Sequence, residues 1–266
     1  MWLTILFIIA DHMSGAVVGG MAKSQGRVPR LYCDDTLGGR GELTLPREAS
    51  HYLVTVLRLG ESDEVRLFNR IDGEWRCSIG LANRKAARVT CEERLREATP
   101  PPDIDYLFAP LKSARLDYLA QKATEMGARQ IRPVITRHTI ADKVNIDRMR
   151  ANAVEAAEQC NMVYVPEIME PEKLSDVLAG WPETRTLIFC DEAADLAGPV
   201  EVLKRVKPGP LAVLLGPEGG FSDEERKMIS AVPGVVALSL GPRIMRADTA
   251  AVAVMALVQA TLGDWS

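Results

Sequence analysis

Leu211-Ala212-Val213-Leu214-Leu215-Gly216-Pro217-Glu218-Gly219-Gly220-Phe221-Ser222-Asp223-Glu224-Glu225 is the stretch whose reading decides the fold. Its unbroken apolar start predicts a buried strand. Ser222, followed three residues later by Glu225, forms a capping-box pattern that predicts a helix start. A second corner of the same kind follows: Val235 to Leu240, then Gly241-Pro242-Arg243-Ile244-Met245-Arg246, then Asp248-Thr249-Ala250-Ala251-Val252. Two strand-loop-helix corners separated by one helix and one strand are expected along one edge of a parallel sheet, where ligands dock.

Without Cβ atoms, Gly216, Gly219, Gly220 and Gly241 accept positive φ and let main-chain groups approach a flat ligand. Pro217 and Pro242 stiffen the turns beside them. One Gly-Pro loop is often only punctuation, but two in succession predict a binding corner. Neither loop contains Gly-x-Gly-x-x-Gly or ends in Gly-Lys-Ser/Thr, which argues against a Rossmann dinucleotide site and a P-loop.

Upstream, residues 30–96 alternate short apolar runs with turns, as in Leu43-Thr44-Leu45, Glu64 to Phe68, Trp75 to Ile79 and Arg88 to Cys91. That spacing predicts a small β-barrel in a domain spanning residues 22–97. Ala98-Thr99-Pro100-Pro101-Pro102-Asp103 reads as a stiff linker, residues 98–103. From residue 104 to 266 strands and helices alternate: Asp105 to Leu111, a helix from Ser113 to Met126 closed by Gly127, Ile131 to Ile135, a helix around Ile146 to Gln159, and Thr186 to Cys190. The pattern is that of an α/β domain.

At 266 residues and 47% hydrophobic, the chain can support two cores. Its five cysteines have no Cys-x-x-Cys spacing and only three histidines are present, so free thiols in a reducing cytoplasm and no metal centre are expected. Trp2 to Ala10 is too short to span a bilayer, for which about twenty residues are needed, and lacks the basic flank of a secretory signal. Residues 1–21 read as an extension ahead of a later start at Met21, or else as a native extension. Charge is uneven: Ala22 to Ala98 holds 14 Lys and Arg against 12 Asp and Glu, and the chain from Thr99 onward 18 against 23. The N-terminal domain is thus the better candidate for meeting nucleic-acid phosphates. Arg30, Arg47, Arg58, Arg66, Arg70, Arg76, Arg84, Lys85 and Arg88 would supply a basic face, unless they are simply solvated arginines.

Taken together, Gly216 to Ser222, Leu238-Ser239-Leu240-Gly241-Pro242-Arg243-Ile244-Met245-Arg246, Glu155-Ala156-Ala157-Glu158-Gln159, Gln121 to Gly127 and His51-Tyr52-Leu53 with Val56 to Leu59 form an ordered series. In that series the chain resembles the RsmE family of SPOUT (α/β-knot) methyltransferases, from about Arg30 to the C-terminal region. Met245 stands where leucine is usual and Asp248 where glutamate is frequent. Cys160-Asn161-Met162 replaces a common Gly-Arg pair, so no arginine contact carries over there. The resemblance implies a C-terminal SPOUT trefoil-knot methyltransferase domain behind an N-terminal PUA-like β-barrel. It also implies a homodimer, S-adenosylmethionine as cofactor, and 16S rRNA, within the small ribosomal subunit, methylated at N3 of one uridine.

Through the same resemblance, Leu215, Gly216, Pro217, Gly219, Gly220, Leu238, Leu240, Gly241, Pro242, Ile244 and Met245 are expected around the cofactor. Methylation at uracil N3 requires losing the imide proton, while negative charge develops over N3 and its flanking carbonyls, which a guanidinium stabilises while staying protonated. Arg246 is the first candidate for that role and Arg243 the second; the bland alternative is a helix-end salt bridge from Arg246 to Asp248 or Glu218. Glu218 would position the acceptor or hold an arginine. His51 joins Arg30, Arg58 and Arg70 as RNA-facing candidates in the first domain, with Lys112, Arg115 and Arg137 in the second. The apolar surface of Thr249 to Leu262 predicts burial in the core or against a partner. Two other functions remain compatible with the sequence: a related SPOUT enzyme acting on a ribose 2′-hydroxyl or another base, and a non-catalytic RNA-binding protein.

Overall fold

The computed structural model describes residues 28–39, 41–141, 143–194 and 198–265. The expectations about residues 1–21 lie outside that set. The first sheet comprises β1 (Arg30–Tyr32), β2 (Glu42–Thr44), β3 (Glu64–Asn69), β4 (Gly73–Leu81) and β5 (Arg88–Arg96). Its order is β1-β3-β4-β5-β2, antiparallel except where β1 runs parallel to β3. Three register shifts between β4 and β5 add local twist and curl the sheet. Val65 and Leu67 point inward while Glu64 and Arg66 stay half-exposed, the period of two that the sequence carries. With Leu53, Ile79 and Val89 they make this sheet's core. Leu53 comes from a π-helical turn, Tyr52–Val56, that continues α1 (Arg47–His51).

The second sheet is parallel throughout and contains β6 (Ile104–Phe108), β7 (Gln130–Ile135), β8 (Glu167–Ile168), β9 (Glu172–Lys173), β10 (Thr186–Cys190), β11 (Leu211–Leu215) and β12 (Val236–Leu238). Strand order is β12-β10-β11-β6-β7-β8, with β9 also on β7. Every residue of β6 and β11 is buried; β11 is accordingly apolar throughout, while β6 carries one charged residue, Asp105, beside Arg185 (3.3 Å) and Arg129 (3.9 Å). The helices are α2 (Ser113–Glu125), α3 (Ile146–Gln159), α4 (Leu174–Ala179), α5 (Pro199–Leu203), α6 (Asp223–Ser230) and α7 (Ala247–Leu262).

One step in this topology positions the site. From β10 the chain enters its neighbour β11, doubles back past β10 to β12, and then returns as α7 onto β11, α2 and α5. The loops leaving β10, β11 and β12 therefore lie side by side. The return is locked by Gln259 of α7, fully buried, whose Nε2 donates to the Met126 carbonyl at the end of α2 (2.7 Å). Gly127, at φ +75°, leaves room for that amide, because a Cβ there would sit 2.6 Å from Nε2.

The two sheets meet at Arg30, and here an expectation is corrected. Arg30 is 8% exposed, its guanidinium 3.7 Å from the centre of the Phe68 ring. It pairs with Glu74 (Nε to Oε2, 3.2 Å) and donates to the carbonyls of Ala157 (2.8 Å) and Met162 at the end of α3. Tyr32 N–H donates to Glu158 Oε1 (2.9 Å) across the same seam. An arginine enclosed this way joins the two sheets and has no donor to offer a phosphate. Arg30→Ala strands the buried Glu74 carboxylate beside fewer cations, so chemical denaturation should give a loss of about 3 kcal/mol, as for other broken buried pairs. A loss indistinguishable from zero would contradict this assignment.

Candidate functional site

The loops after β10, β11 and β12 enclose a cavity of about 320 Å³. That is within the size range of small-ligand pockets, about 300 to 1,000 Å³. Its apolar walls include Leu215, Leu238, Leu240, Met245 and Ala250, and its rim carries Glu218, Arg243 and Arg246. Close packing shapes its first loop. Phe221 folds back under Gly216, where a Cβ would meet the ring at 2.6 Å, and stands edge-on to Phe189 with centroids 5.2 Å apart. Gly220 and Gly241 have φ of +68° and +106°, values costly for residues with a Cβ.

The capping box forms as the sequence predicts. Ser222 N–H donates to Glu225 Oε2 (2.9 Å), Glu225 N–H donates to Ser222 Oγ (3.3 Å), and Arg137 N–H donates to Glu225 Oε1 (2.8 Å). One buried carboxylate thus fixes the start of α6 and ties it to the segment after β7. In that segment His138 Nδ1 lies 3.1 Å from the carbonyl oxygens of both Gly219 and Gly220, so this nitrogen carries the proton and donates to them.

The rim charges are arranged unequally. Arg115, on the first turn of α2, reaches Glu218 (2.9 Å) and Asp248 (4.0 Å). It occupies the two carboxylates that would otherwise anchor Arg246. Among the described residues, neither Arg243 nor Arg246 has an acidic partner, and both are exposed at the cavity mouth. The helix-end salt bridge therefore belongs to Arg115. Arg246 is the N-cap of α7 and makes no capping bond. A cation at a helix N-terminus opposes the macrodipole by about 0.3 to 1 kcal/mol, so local helix stability does not account for an arginine there.

Of the residues expected around a cofactor, Leu215, Gly216, Pro217, Gly220, Leu238, Leu240, Gly241, Ile244 and Met245 line the cavity, together with Glu218, Arg243 and Arg246. Gly219 and Pro242 do not line it; Gly219 packs against His138. Sequence reasoning missed Cys190, which ends β10, Asp191 and Glu192, which follow it, and Arg226 of α6, which pairs with Asp191 and reaches Glu192 at 3.8 Å. Their signal was the predicted strand Thr186 to Cys190. Without the strand order, its end could not be placed between the two Gly-Pro loops.

The RNA-facing candidates scatter. His51 and Arg58 flank the π-helical turn and are exposed, with Tyr52 and Val56 exposed between them. Arg70 is exposed on the turn after β3, while Lys112 and Arg137 are exposed in the second domain. Several arginines of the curled sheet face carboxylates: Arg66 beside Glu64 and Glu74, Arg76 beside Glu92 and Glu93, Arg88 beside Glu42. For these three the solvated reading holds. Among the described residues no cluster of three or more His, Cys, Asp or Glu could hold a metal, and no helix is long and apolar enough to cross a membrane.

Burial pushes the Cys190 thiol in the cavity wall up to about 12. It stays protonated at neutral pH and is no nucleophile. Iodoacetamide at pH 8 should leave Cys190 unmodified in the folded protein and alkylate it after denaturation, read by peptide mass spectrometry; rapid labelling of the folded protein would contradict a thiol held protonated in the cavity wall.

Comparison with known proteins follows the same two-part division. The family model of the RNA methyltransferase domain matches residues 98–259, and that of the RNA methyltransferase PUA domain matches residues 45–91. The ribosomal RNA small subunit methyltransferase E of Rickettsia conorii is 28% identical over 232 residues, covering 86% of this chain and 94% of its own. Its Bacillus subtilis namesake is 26% identical over 215 residues, covering 76% and 84%. Among solved structures, a Legionella pneumophila protein described as a methyltransferase, in complex with S-adenosylmethionine, superposes with a TM-score of 0.77 at 29% identity, covering 90% of this chain and 99% of that one. The ribosomal RNA small subunit methyltransferase E of Neisseria gonorrhoeae shares the fold, with a TM-score of 0.81 at 23% identity over 90% of this chain and all of that one.

Proposed function

This chain belongs to the RNA methyltransferase family, and from that premise we propose that it transfers a methyl group from S-adenosylmethionine to N3 of one uridine in the 16S rRNA of the small ribosomal subunit. The observation that carries the reading is the cavity between the Gly-Pro loops, with two unpaired arginines at its mouth. Relatives named ribosomal RNA small subunit methyltransferase E support the substrate class.

The residues present fit this cofactor. Leu238, Leu240, Met245 and Ala250 offer apolar walls for a flat base, and Gly216, Gly220 and Gly241 also line the cavity, where their main-chain groups would hold the purine and the ribose. When bound, S-adenosylmethionine supplies a methyl already activated on a sulfonium. The chain's task is then chiefly alignment, for which well-oriented reactants gain up to about 7 to 11 kcal/mol. Arg246 holds the uracil edge, where losing the imide proton spreads charge over N3 and its carbonyl oxygens. Arg243 is its second. Glu218 holds Arg115, which keeps Arg246 free to turn toward substrate.

The N-terminal domain, residues 22–97 by our division, would grip RNA through the surface around His51, Arg58 and Arg70, with 98–103 as linker and 104–266 as the catalytic unit. Uracil N3 is hidden in a paired or stacked strand, so the acceptor must be exposed or flipped. We extend the reading to a homodimer, supported by the half-buried Val252, Leu257 and Leu262 of α7. Light scattering at micromolar concentration should give twice the chain mass, and a monomer would overturn this part.

Arg246→Ala should bind S-adenosylmethionine with a Kd within about twofold of the parent, by calorimetry, and lose about 10² to 10³ in kcat, the usual cost of removing one charge-stabilising donor. Arg246→Lys should recover little, because an ammonium does not reproduce a paired fork. Near-parental turnover in Arg246→Ala would remove Arg246 from the mechanism.

A further inference from the structure

Beyond the cofactor cavity, two more hollows continue along the same face. One, of about 500 Å³, is bounded by Pro110, Leu111, Lys112, Arg115, Ile140 and Glu218, and shares Glu218 with the cofactor cavity. The next, of about 490 Å³, shares Leu111, Lys112 and Ile140 with it and ends at Lys143 and Arg148. The three hollows therefore form one trough that starts beside the proposed reaction centre.

Its walls and its charge point to one kind of occupant. Ile140 is 55% exposed and borders both hollows, while Leu111 beneath is only 2% exposed, so Ile140 supplies the apolar surface that an occupant would meet. Arg115 and Arg148 are committed to Glu218 and Asp117. Among the described residues Lys112 and Lys143 have no acidic partner, and both are exposed. From Thr99 onward acidic residues outnumber basic ones by 23 to 18, so two unneutralised lysines along one apolar trough run against the local charge. Flat apolar faces and a regularly charged backbone are what single-stranded nucleic acid presents.

We propose that this trough carries the RNA strand adjoining the acceptor uridine, with a neighbouring base against Ile140 and the flanking phosphates on Lys112 and Lys143. The assignment rests on the methyltransferase reading above and adds a direction to it: the strand runs from Glu218 toward Arg148, on the side of the cavity bounded by α2 and the start of α3.

The test compares the parent, Lys112→Gln with Lys143→Gln, and a charge-matched control, Lys204→Gln with Lys207→Gln, all with small ribosomal subunits lacking the modification. For the trough double variant, KM for subunits should rise about tenfold. Its log-log salt slope should fall by about 1.4, from about 0.7 for each single-strand phosphate that a lysine no longer neutralises. The Kd for S-adenosylmethionine and the thermal midpoint should not move, and the control should match the parent. Ile140→Asp, which puts a carboxylate in the base slot, should raise KM as well. A parent that methylates subunits while the trough variants keep its KM and salt slope overturns the trough alone. A parent that binds S-adenosylmethionine and methylates no subunit overturns the underlying reading, and the trough with it.

Discussion

The missing Cβ at Gly216 is the constraint on which the site depends. Because that position is bare, the Phe221 ring slides beneath the main chain and joins the buried cluster of Phe189, Leu187 and Leu214. The loop after β11 is thereby pulled down onto the sheet instead of arching over it. A Cβ at 2.6 Å from an aromatic ring cannot be absorbed by small shifts in a close-packed interior. With Phe221 seated, Ser222 and Glu225 start α6 where Arg137 and His138 can reach it, and the loop becomes one wall of the cavity.

Strand order supplies the other walls. β10 lies between β11 and β12, so Cys190, Asp191 and Glu192 enter between two loops that sequence places side by side without them. The return of α7 then brings Arg246 and Asp248 to the same rim, where Arg115 from α2 takes the carboxylates. This division of charge gives the site its chemical character. One arginine neutralises the structural acids, and two others are left facing the opening.

Much of this was legible in the sequence, for physical reasons that differ between elements. The fully apolar β11, the capping box at Ser222 and the alternation in β3 are local patterns, and each appears where its pattern puts it. The Gly-Pro loops marked most of the cavity lining because the packing under Gly216 and the positive φ of Gly220 and Gly241 require glycine. β8, β9, α4 and α5 are too short to carry a period, and β1 owes its place to parallel pairing with β3, a partner more than thirty residues away. Arg30 was misjudged for a related reason: an arginine sealed between two sheets and one awaiting a phosphate have the same letter and the same local neighbours. Only its long-range partners Glu74, Ala157 and Met162 distinguish them.

The central claim is that the cavity serves methyl transfer to a uracil nitrogen in small-subunit ribosomal RNA. The most direct measurement incubates the protein with labelled S-adenosylmethionine and small ribosomal subunits lacking the modification, digests the RNA and identifies the labelled nucleoside by mass spectrometry. The account predicts label in N3-methyluridine. Label on a ribose 2′-oxygen or another base, or no transfer by protein that binds the cofactor, would contradict it.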